Sequence, residues 1–424
     1  MRKPEFRPPE WRTAEARGVV EIVRTIEVVT PMFGGGVALV QAPESHLKRQ
    51  DPVTILRTAT VVGQVRFWWR ALFGCRLNNL ATMLARESEL FGAASQPGTV
   101  SLRVKSSLRA EEAHQYTDLS ADLRYAAFPL QKSVSAPADS PHGAVTPIKG
   151  SAEITWICRS ADADQVAAAV DAWIVLGGIG GRTRRGFGAL QCRAAAASEP
   201  RFAKAPTFEE FAARVDPMLA EGTVLTGVPA YWPGNTATAG KYQSAAEAQR
   251  EAVKKLRLFR QGEAIGRNGP ADPRNPKKLG RSRWPEPDVI RSQAQRFGEA
   301  GKHKDPIHGT VVTKFPRAAF GLPIIFHFLG KEEPADHTLV PDNGASRMAS
   351  PLILRPVHIA DGHWARACIW IPERRHSKLR VKLGDKPYGV DLTADEIAKV
   401  GAKMGLIAGR DSVLAAFFEY FQKN

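Results

Sequence analysis

The fold class that the sequence predicts is α+β, and three observations lead to it. Segments that alternate apolar and polar residues, as strands do, are interspersed with segments whose apolar residues recur every three or four positions, as in helices. The chain has 424 residues, 43% of them hydrophobic, which is enough for two or three domains with buried cores. A polar, basic region at residues 245–302 separates two apolar parts.

The first elements are a strand and two helical stretches. Residues 19–30 are rich in β-branched side chains and are followed by Pro31, which is typical of a strand. Residues 55–73 repeat apolar residues on one helical face and end at Gly74. A second helical stretch, LNNLATMLARESELF, stops at Gly92.

The next segments complete the first unit. Apolar and polar residues alternate in GTVSLRVKSS and EITWICR, which predicts two strands. The alanine-rich segment ADADQVAAAVDAWIVL is predicted to be a helix, and FGALQCR a final strand. The order strand, helix, strand, strand, helix, strand is the split βαβ, or ferredoxin-like, plan. The RNA-recognition motif has the same four-stranded sheet, which in that family binds single-stranded RNA.

A linker at residues 193–206 precedes the second part of the chain. We therefore predict an N-terminal domain over residues 1–195 and a C-terminal domain over residues 207–424, with a basic insertion around residues 245–305. Strand-like apolar runs return after Phe315, and DSVLAAFFEYFQ is typical of a helix. The second domain is also predicted to be α+β.

The net charge of +16 and the pI of about 9.9 indicate a polyanionic partner. Nucleic acid is the first candidate and an acidic membrane surface the second, while a basic surface kept for solubility is the simpler alternative. The four cysteines form no CxxC pair, so they indicate a reducing compartment and no zinc site. We expect a cytoplasmic protein that has no membrane span, metal or cofactor.

The stretch GGIGGRTRRGFG, residues 177–188, contains six glycines and three arginines. It lacks the lysine of a Walker loop. It is also unlike a dinucleotide-binding loop, because a helix precedes it, whereas in that motif the helix follows the loop. We predict a backbone cradle for phosphates, aided by guanidinium groups. The alternative is a glycine helix cap followed by a tight turn. The predicted RNA-binding residues here are Gly178, Gly180, Gly181, Arg182, Arg184, Arg185, Gly186 and Gly188.

Three other segments are candidates for RNA contact. The glycines of PMFGGG follow the first strand, and the alternative for them is a simple turn. VRFWWRALFG and GRSRWPEPD combine arginine with tryptophan, which suits phosphate contact and base stacking; the alternatives are packing or a subunit contact for the first and a solvated basic loop for the second. The predicted residues are Gly34, Gly35, Gly36, Arg66, Trp69, Arg70, Arg281, Arg283 and Trp284.

Motifs for catalysis are lacking in the sequence, which has no HD dipeptide, HExxH or GxSxG. His46 and His142 lie in predicted loops and are the candidate general bases if the chain has an enzymatic function. A lone loop histidine is more often solvated.

These motifs in combination resemble the RAMP superfamily of CRISPR proteins, and in particular the subunits of type III-B Cmr effector complexes. The resemblance rests on PMFGGG, GQVRFWWRALFG, ESELFG and GGIGGRTRRGFGAL in the first half, and on GRSRWPEPD, FPRAAFGLPI and RMASPLILRP in the second.

The resemblance implies two ferredoxin-like (RRM-like) domains and a non-catalytic RNA-binding subunit. It also implies guide crRNA, target single-stranded RNA and other RAMP subunits as partners, with a position near the 3′ end of the guide. The alternatives are a RAMP-fold, metal-independent endoribonuclease that processes CRISPR precursor RNA, and a single-strand binder that belongs to no complex.

Overall fold

The computed structural model describes residues 18–34, 55–131, 143–204, 206–219, 222–270, 272–275, 279–375 and 378–423. The fold combines helices and sheets, which confirms the predicted class. The strands are β1 (Val19–Val28), β2 (Met32–Phe33), β3 (Ser101–Ser106), β4 (Arg109–Ala110), β5 (His114–Gln115), β6 (Ala144–Thr146), β7 (Ile148–Lys149), β8 (Ala152–Arg159), β9 (Leu190–Ala197), β10 (Thr236–Tyr242), β11 (Ile324–Phe326), β12 (His337–Pro341), β13 (Leu352–His358), β14 (Trp364–Trp370), β15 (Arg380–Leu383) and β16 (Lys386–Gly389).

The helices of the described chain are α1 (Thr58–Leu72), α2 (Leu80–Phe91), α3 (Ala121–Ala126), α4 (Ala163–Leu176), α5 (Phe208–Val215), α6 (Ala245–Gln261), α7 (Glu286–Gln293), α8 (Ala394–Gly401) and α9 (Val413–Gln422). None of them is long and apolar enough to cross a membrane.

The first sheet is antiparallel and has the strand order β3-β8-β1-β9. Side chains alternate along β1, so that Val20, Ile22 and Ile26 are buried while the residues between them face outward. Helices α1 and α4 pack together and share a core with the buried face of the sheet. The succession β1, α1, β3, β8, α4, β9 agrees with the order predicted from the sequence.

The second sheet has the order β10-β14-β13, and its strands β13 and β14 are buried on both faces. Ile353 and Val357 of β13 join the core that contains α1 and α4, whereas Leu352 and Leu354 face α6 and α9. Buried residues on both faces of β13 and β14 replace the alternation seen in β1, and they include the two arginines Arg355 and Arg366. The chain therefore forms successive layers: first sheet, α1 with α4, second sheet, α6 with α9.

One core thus joins the two predicted domains, whose boundaries stay a prediction. Helix α6, which the sequence analysis assigned to the basic insertion, is a core element. Its residues Ala248, Ala252, Leu256 and Phe259 are buried, and its charged residues lie on the remaining face. The third sheet, of order β11-β12-β15-β16, packs on a core of its own that includes Val289 and Ile290 of α7.

A buried ion network fixes α4 to the first sheet. Arg24 of β1 donates to both carboxylate oxygens of Asp171, at 2.8 and 3.1 Å, and Arg214 of α5 donates to the same carboxylate. Arg24 and Asp171 have no exposed surface. Burial opposes the charge on Asp171, but the two arginines outweigh it and hold the pKa of Asp171 below its usual value.

We expect Asp171→Asn to lower the free energy of unfolding by about 3–5 kcal/mol, because it leaves the buried Arg24 without a counter-ion. Urea denaturation followed by circular dichroism measures the change. The control is Glu21→Gln, since the pair that Glu21 forms with Arg103 is exposed and contributes less than about 1 kcal/mol. Equal effects of the two substitutions would contradict the assignment.

Candidate nucleic-acid interface

The glycine loop, residues 177–188, lies where the two halves of the chain meet. It follows α4 directly, and its 3₁₀ turn, Thr183–Arg185, packs against β13. The structure brings it beside the other glycine segment, because the Gly181 N–H donates to the Phe33 carbonyl (2.7 Å) and the Gly188 N–H to the Pro31 carbonyl (3.0 Å). Gly34 is buried there, and Gly35 and Gly36 lie outside the described residues.

The glycines are required by the close approach of the chain to itself. A Cβ on Gly188 would lie 2.0 Å from the Ile179 carbonyl oxygen, and the φ of Gly188 is +63°. A Cβ on Gly178 would lie 2.7 Å from the Gly188 carbonyl oxygen, and one on Gly186 would lie 3.0 Å from that of Leu354. Each of these distances is too short for a side chain.

The prediction that the backbone N–H groups of this loop are free to bind phosphates is therefore wrong for part of the loop. The N–H groups of Ile179, Gly181, Gly186 and Gly188 donate to carbonyls of the chain. Gly178, Gly186 and Gly188 are also buried, so a phosphate does not reach them. The partly exposed part is Gly180–Arg185, and its arginines are the groups that remain available.

Two of the three loop arginines fasten the loop to β13. Arg184 Nη1 donates to the Ser350 carbonyl, and Arg185 Nη1 donates to the carbonyls of Leu352 (3.1 Å) and Arg184 (2.8 Å). Burial lowers the pKa of Arg185 to about 10 and also lowers the pKa of Arg184. Arg355 reaches from β13 back toward the loop and donates to the carbonyls of Gly177 and Leu190. Burial lowers the pKa of Arg355 to about 9.

The guanidinium of the third loop arginine, Arg182, is the most available for a ligand, because it does not donate to a described backbone carbonyl. Its guanidinium lies over the half-exposed ring of Phe128, 4.9 Å from the centroid. Burial and the nearby positive charge of Arg347 lower the pKa of Arg182. Arg347 is exposed, and the sequence analysis missed it although it lies in the quoted motif RMASPLILRP. Its position beside the loop results from the fold, so the sequence alone gave no signal for it.

Positive charge at the glycine loop is not neutralised within the described part of the chain. Arg182, Arg184, Arg185, Arg347 and Arg355 form no ion pair with a described carboxylate, although Glu373 lies near enough to Arg184 to oppose its pKa shift. Five guanidinium groups therefore surround one loop. A cluster of positive charge of this kind attracts polyanions.

A cavity of about 220 Å³ opens beside this cluster. Its walls come from α1, the end of α4, the glycine loop and β13. The lining residues are Gln64, Phe67, Trp68, Leu176, Gly177, Thr183, Arg184 and Ile353.

The structure corrects the prediction for α1. Trp69 is 1% exposed, and its Nε1 donates to the Gln165 side chain, so its ring has no face open to a base. Arg66 and Arg70 both donate to one carboxylate oxygen of the buried Glu87, at 2.6 and 2.8 Å. Glu87 belongs to ESELFG, so the two motifs serve the packing of α2 on α1.

GRSRWPEPD is also a structural motif, against the prediction of RNA contact. Trp284 is fully buried in the core with α6 and α9, and its Nε1 donates to the Arg260 carbonyl. Arg281 forms two hydrogen bonds with Asp288, each 2.7 Å long. Arg283 donates to the Asn268 side chain and to the backbone carbonyls of Ala264 and Lys403.

The outer face of the first sheet differs from that of an RNA-binding RRM. The outward residues of its described strands include no aromatic side chain, and three cross-strand pairs of opposite charge cover it. These are Arg103–Glu21, Lys105–Glu153 and Arg193–Glu27. RRMs bind RNA by stacking bases on aromatic side chains of the sheet. The described strands of this sheet offer no such side chain.

No group of three or more histidine, cysteine, aspartate or glutamate side chains in the described ranges is arranged to hold a metal ion. His46 and His142, the candidate general bases, lie outside the described residues.

Comparison with known proteins finds a similarity in the first half of the chain. Residues 25–191 match the RAMP superfamily, which confirms the resemblance predicted from the motifs in this range. No curated protein matches the sequence.

Solved structures also align with the chain. Cmr1 from Pyrococcus furiosus, in its apo form, is 14% identical, with 91% of this chain and 97% of that chain covered and a TM-score of 0.46. A chain of the Type III-B Cmr-beta bound to cognate target RNA is 10% identical, with 92% and 99% covered and a TM-score of 0.42. A further chain, from Type III-B Cmr-beta with target RNA, AMPPnP and ssDNA, is 9% identical, with 92% and 99% covered and a TM-score of 0.41.

We expect Gly188→Ala to destabilise the protein by more than about 2 kcal/mol, because the added Cβ meets the Ile179 carbonyl and the backbone is left-handed. Thermal unfolding provides the measurement. Gly234→Ala is the matched control, since its Cβ would meet nothing within 4 Å. A Gly188→Ala protein as stable as the control would show that the loop tightness is not required.

Proposed function

We propose that this chain is a non-catalytic RNA-binding subunit of a type III-B CRISPR Cmr ribonucleoprotein, corresponding to subunit one of that complex. In this role it lies near the 3′ end of the guide crRNA, beside other RAMP subunits. It helps to capture complementary target RNA in antiviral defence. The RAMP match over residues 25–191 and the motifs of both halves support the proposal.

The strand orders support two ferredoxin-like units. In the first sheet, the third strand in sequence, β8, lies between β1 and β3, and β9 pairs with the other side of β1. The second sheet repeats this arrangement without a fourth strand, because β14 lies between β10 and β13. Helices α6 and α9 then occupy the places that α1 and α4 have in the first unit.

The observation that carries the proposal is the unneutralised arginine cluster at the glycine loop. Arg182 and Arg347 raise each other's electrostatic energy, and a phosphate between them would relieve it. Arg184, Arg185 and Arg355 add charge from positions that hydrogen bonds to backbone carbonyls fix. A sugar–phosphate strand that crosses the exposed part of the loop, residues 180–185, would meet preorganised charge.

RNA affinity of an Arg182→Ala protein tests the site. We expect weaker binding of single-stranded RNA and a plot of log affinity against log salt that is shallower by roughly 0.7, since one phosphate contact is lost. Arg182 suits this test better than Arg184, because no described backbone carbonyl depends on its guanidinium. Fluorescence anisotropy at several salt concentrations gives both quantities.

Arg103→Ala is the control for charge alone, because Arg103 lies on the outer face of the first sheet. The same loss of affinity and slope in both proteins would mean that the basic charge acts non-specifically, and the site would be rejected.

The endoribonuclease alternative makes a different prediction for RNA integrity. We expect end-labelled CRISPR repeat RNA to stay intact after incubation with the full chain in EDTA. Cleavage that is lost in His46→Ala or His142→Ala would replace the non-catalytic role with a metal-independent nuclease.

A further inference from the structure

We propose that the cavity beside the glycine loop binds one unstacked nucleobase of the RNA strand, with Phe67 as the stacking surface. This inference rests on the proposed RNA-binding function and defines what the same site recognises. The phosphates would lie at Arg182 and Arg347, and the base would enter between α1 and β13.

The volume of the cavity is sufficient for one base. Its 220 Å³ is below the range of about 300–1,000 Å³ that is typical of sites for drug-sized ligands. It equals the liquid volume of roughly seven water molecules. A single planar ring system fits such a space, and the open side leaves room for the attached sugar and phosphate.

The walls have the chemistry of a base site. Leu176 and Ile353 supply apolar surface, and Gly177 brings bare backbone to the cavity. A side chain at Gly177 would meet Trp68 Nε1 at 2.8 Å, so glycine keeps this corner open. The lining includes no carboxylate, which argues against a cation as the ligand.

Polar groups in the wall lack partners within the described residues. Trp68 lines the cavity, and its Nε1 forms no hydrogen bond with a described atom. The side chains of Gln64 and Thr183 likewise have no hydrogen-bond partner in the described ranges. Gln64 and Thr183 are only partly buried, so their polar groups can reach a ligand in the cavity, and a base edge offers both donors and acceptors.

Phe67 and Arg184 provide the stacking surfaces. Phe67 is partly exposed, whereas Val65 and Trp68 of the same helix are buried. The guanidinium of Arg184 lies 5.9 Å from the Phe67 ring centroid, and its Nη1 is held by the Ser350 carbonyl. Aromatic and guanidinium planes are the groups on which proteins stack unpaired bases.

The neighbouring residues join the cavity to the phosphate site. Thr183 lines the cavity, and Arg182 precedes it in the chain and faces Phe128 and Arg347. One strand can therefore place a phosphate at Arg182 and the attached base in the cavity.

The test compares two short single-stranded RNAs of equal length, one with ordinary bases and one with abasic ribose at every position. We expect the wild-type full chain to bind the base-containing RNA about tenfold more tightly, a typical contribution of one stacked base. Phe67→Ala and Gln64→Ala should reduce this preference while the affinity for abasic RNA and its salt slope stay unchanged.

The controls separate folding and charge from base binding. Phe67→Leu keeps apolar volume but removes the ring, so it serves if Phe67→Ala is unstable. Gln293→Ala removes an exposed amide on α7, outside the cavity, and should leave the preference intact. Arg182→Ala should weaken the binding of both RNAs equally.

Each outcome is decisive. If Arg182→Ala behaves as expected but Phe67→Ala and Phe67→Leu keep the full base preference, the cavity proposal is overturned and the RNA-binding proposal stands. If the wild-type chain binds neither RNA, both proposals fail. Photo-crosslinking of RNA that contains 5-iodouridine should attach to Phe67 or Trp68, and a crosslink confined to other peptides would also overturn the cavity proposal.

Discussion

The reciprocal hydrogen bonds between arginines and backbone carbonyls at β13 are the constraint on which the glycine loop depends. Arg184 and Arg185 reach from the loop to carbonyls at Ser350 and Leu352, and Arg355 reaches back to Gly177 and Leu190. Gly177 ends α4, so Arg355 also places positive charge at the negative end of that helix. The loop is thus held from both sides, and its conformation is set by the second sheet as much as by the first.

This arrangement explains why the site is electropositive without being a patch of mobile lysines. The guanidiniums are desolvated during folding, and carbonyl groups satisfy their N–H donors without neutralising their charge. A polyanion that arrives later meets charges whose geometry is already fixed, so less ordering remains to be done on binding. Arg24 differs from these arginines, because its partner is the carboxylate of Asp171, which neutralises its charge. This buried pair holds α4 against the first sheet.

The sequence predicted the parts of the fold that depend on local pattern. Alternation along β1 and β8 and the spacing of Val61, Val65 and Trp68 identified the first unit, because burial on one face leaves a periodic signal. The function of Trp69 and Trp284 was predicted wrongly for a physical reason: arginine beside tryptophan looks the same whether the ring is in the core or on the surface. Arg347 was missed because tertiary contact alone brings it to the loop.

The core shared by the two halves has a consequence for how a ligand could be bound. Arg182 belongs to the first half and Arg347 to the second, and the two halves share an apolar interior in which β13 and β14 are buried on both sides. A hinge that changed their separation would have to open this apolar interior to water. In the proposed role, a bound nucleic acid would therefore have to adapt its conformation to the protein, because the protein could not change the spacing of these two arginines at low cost.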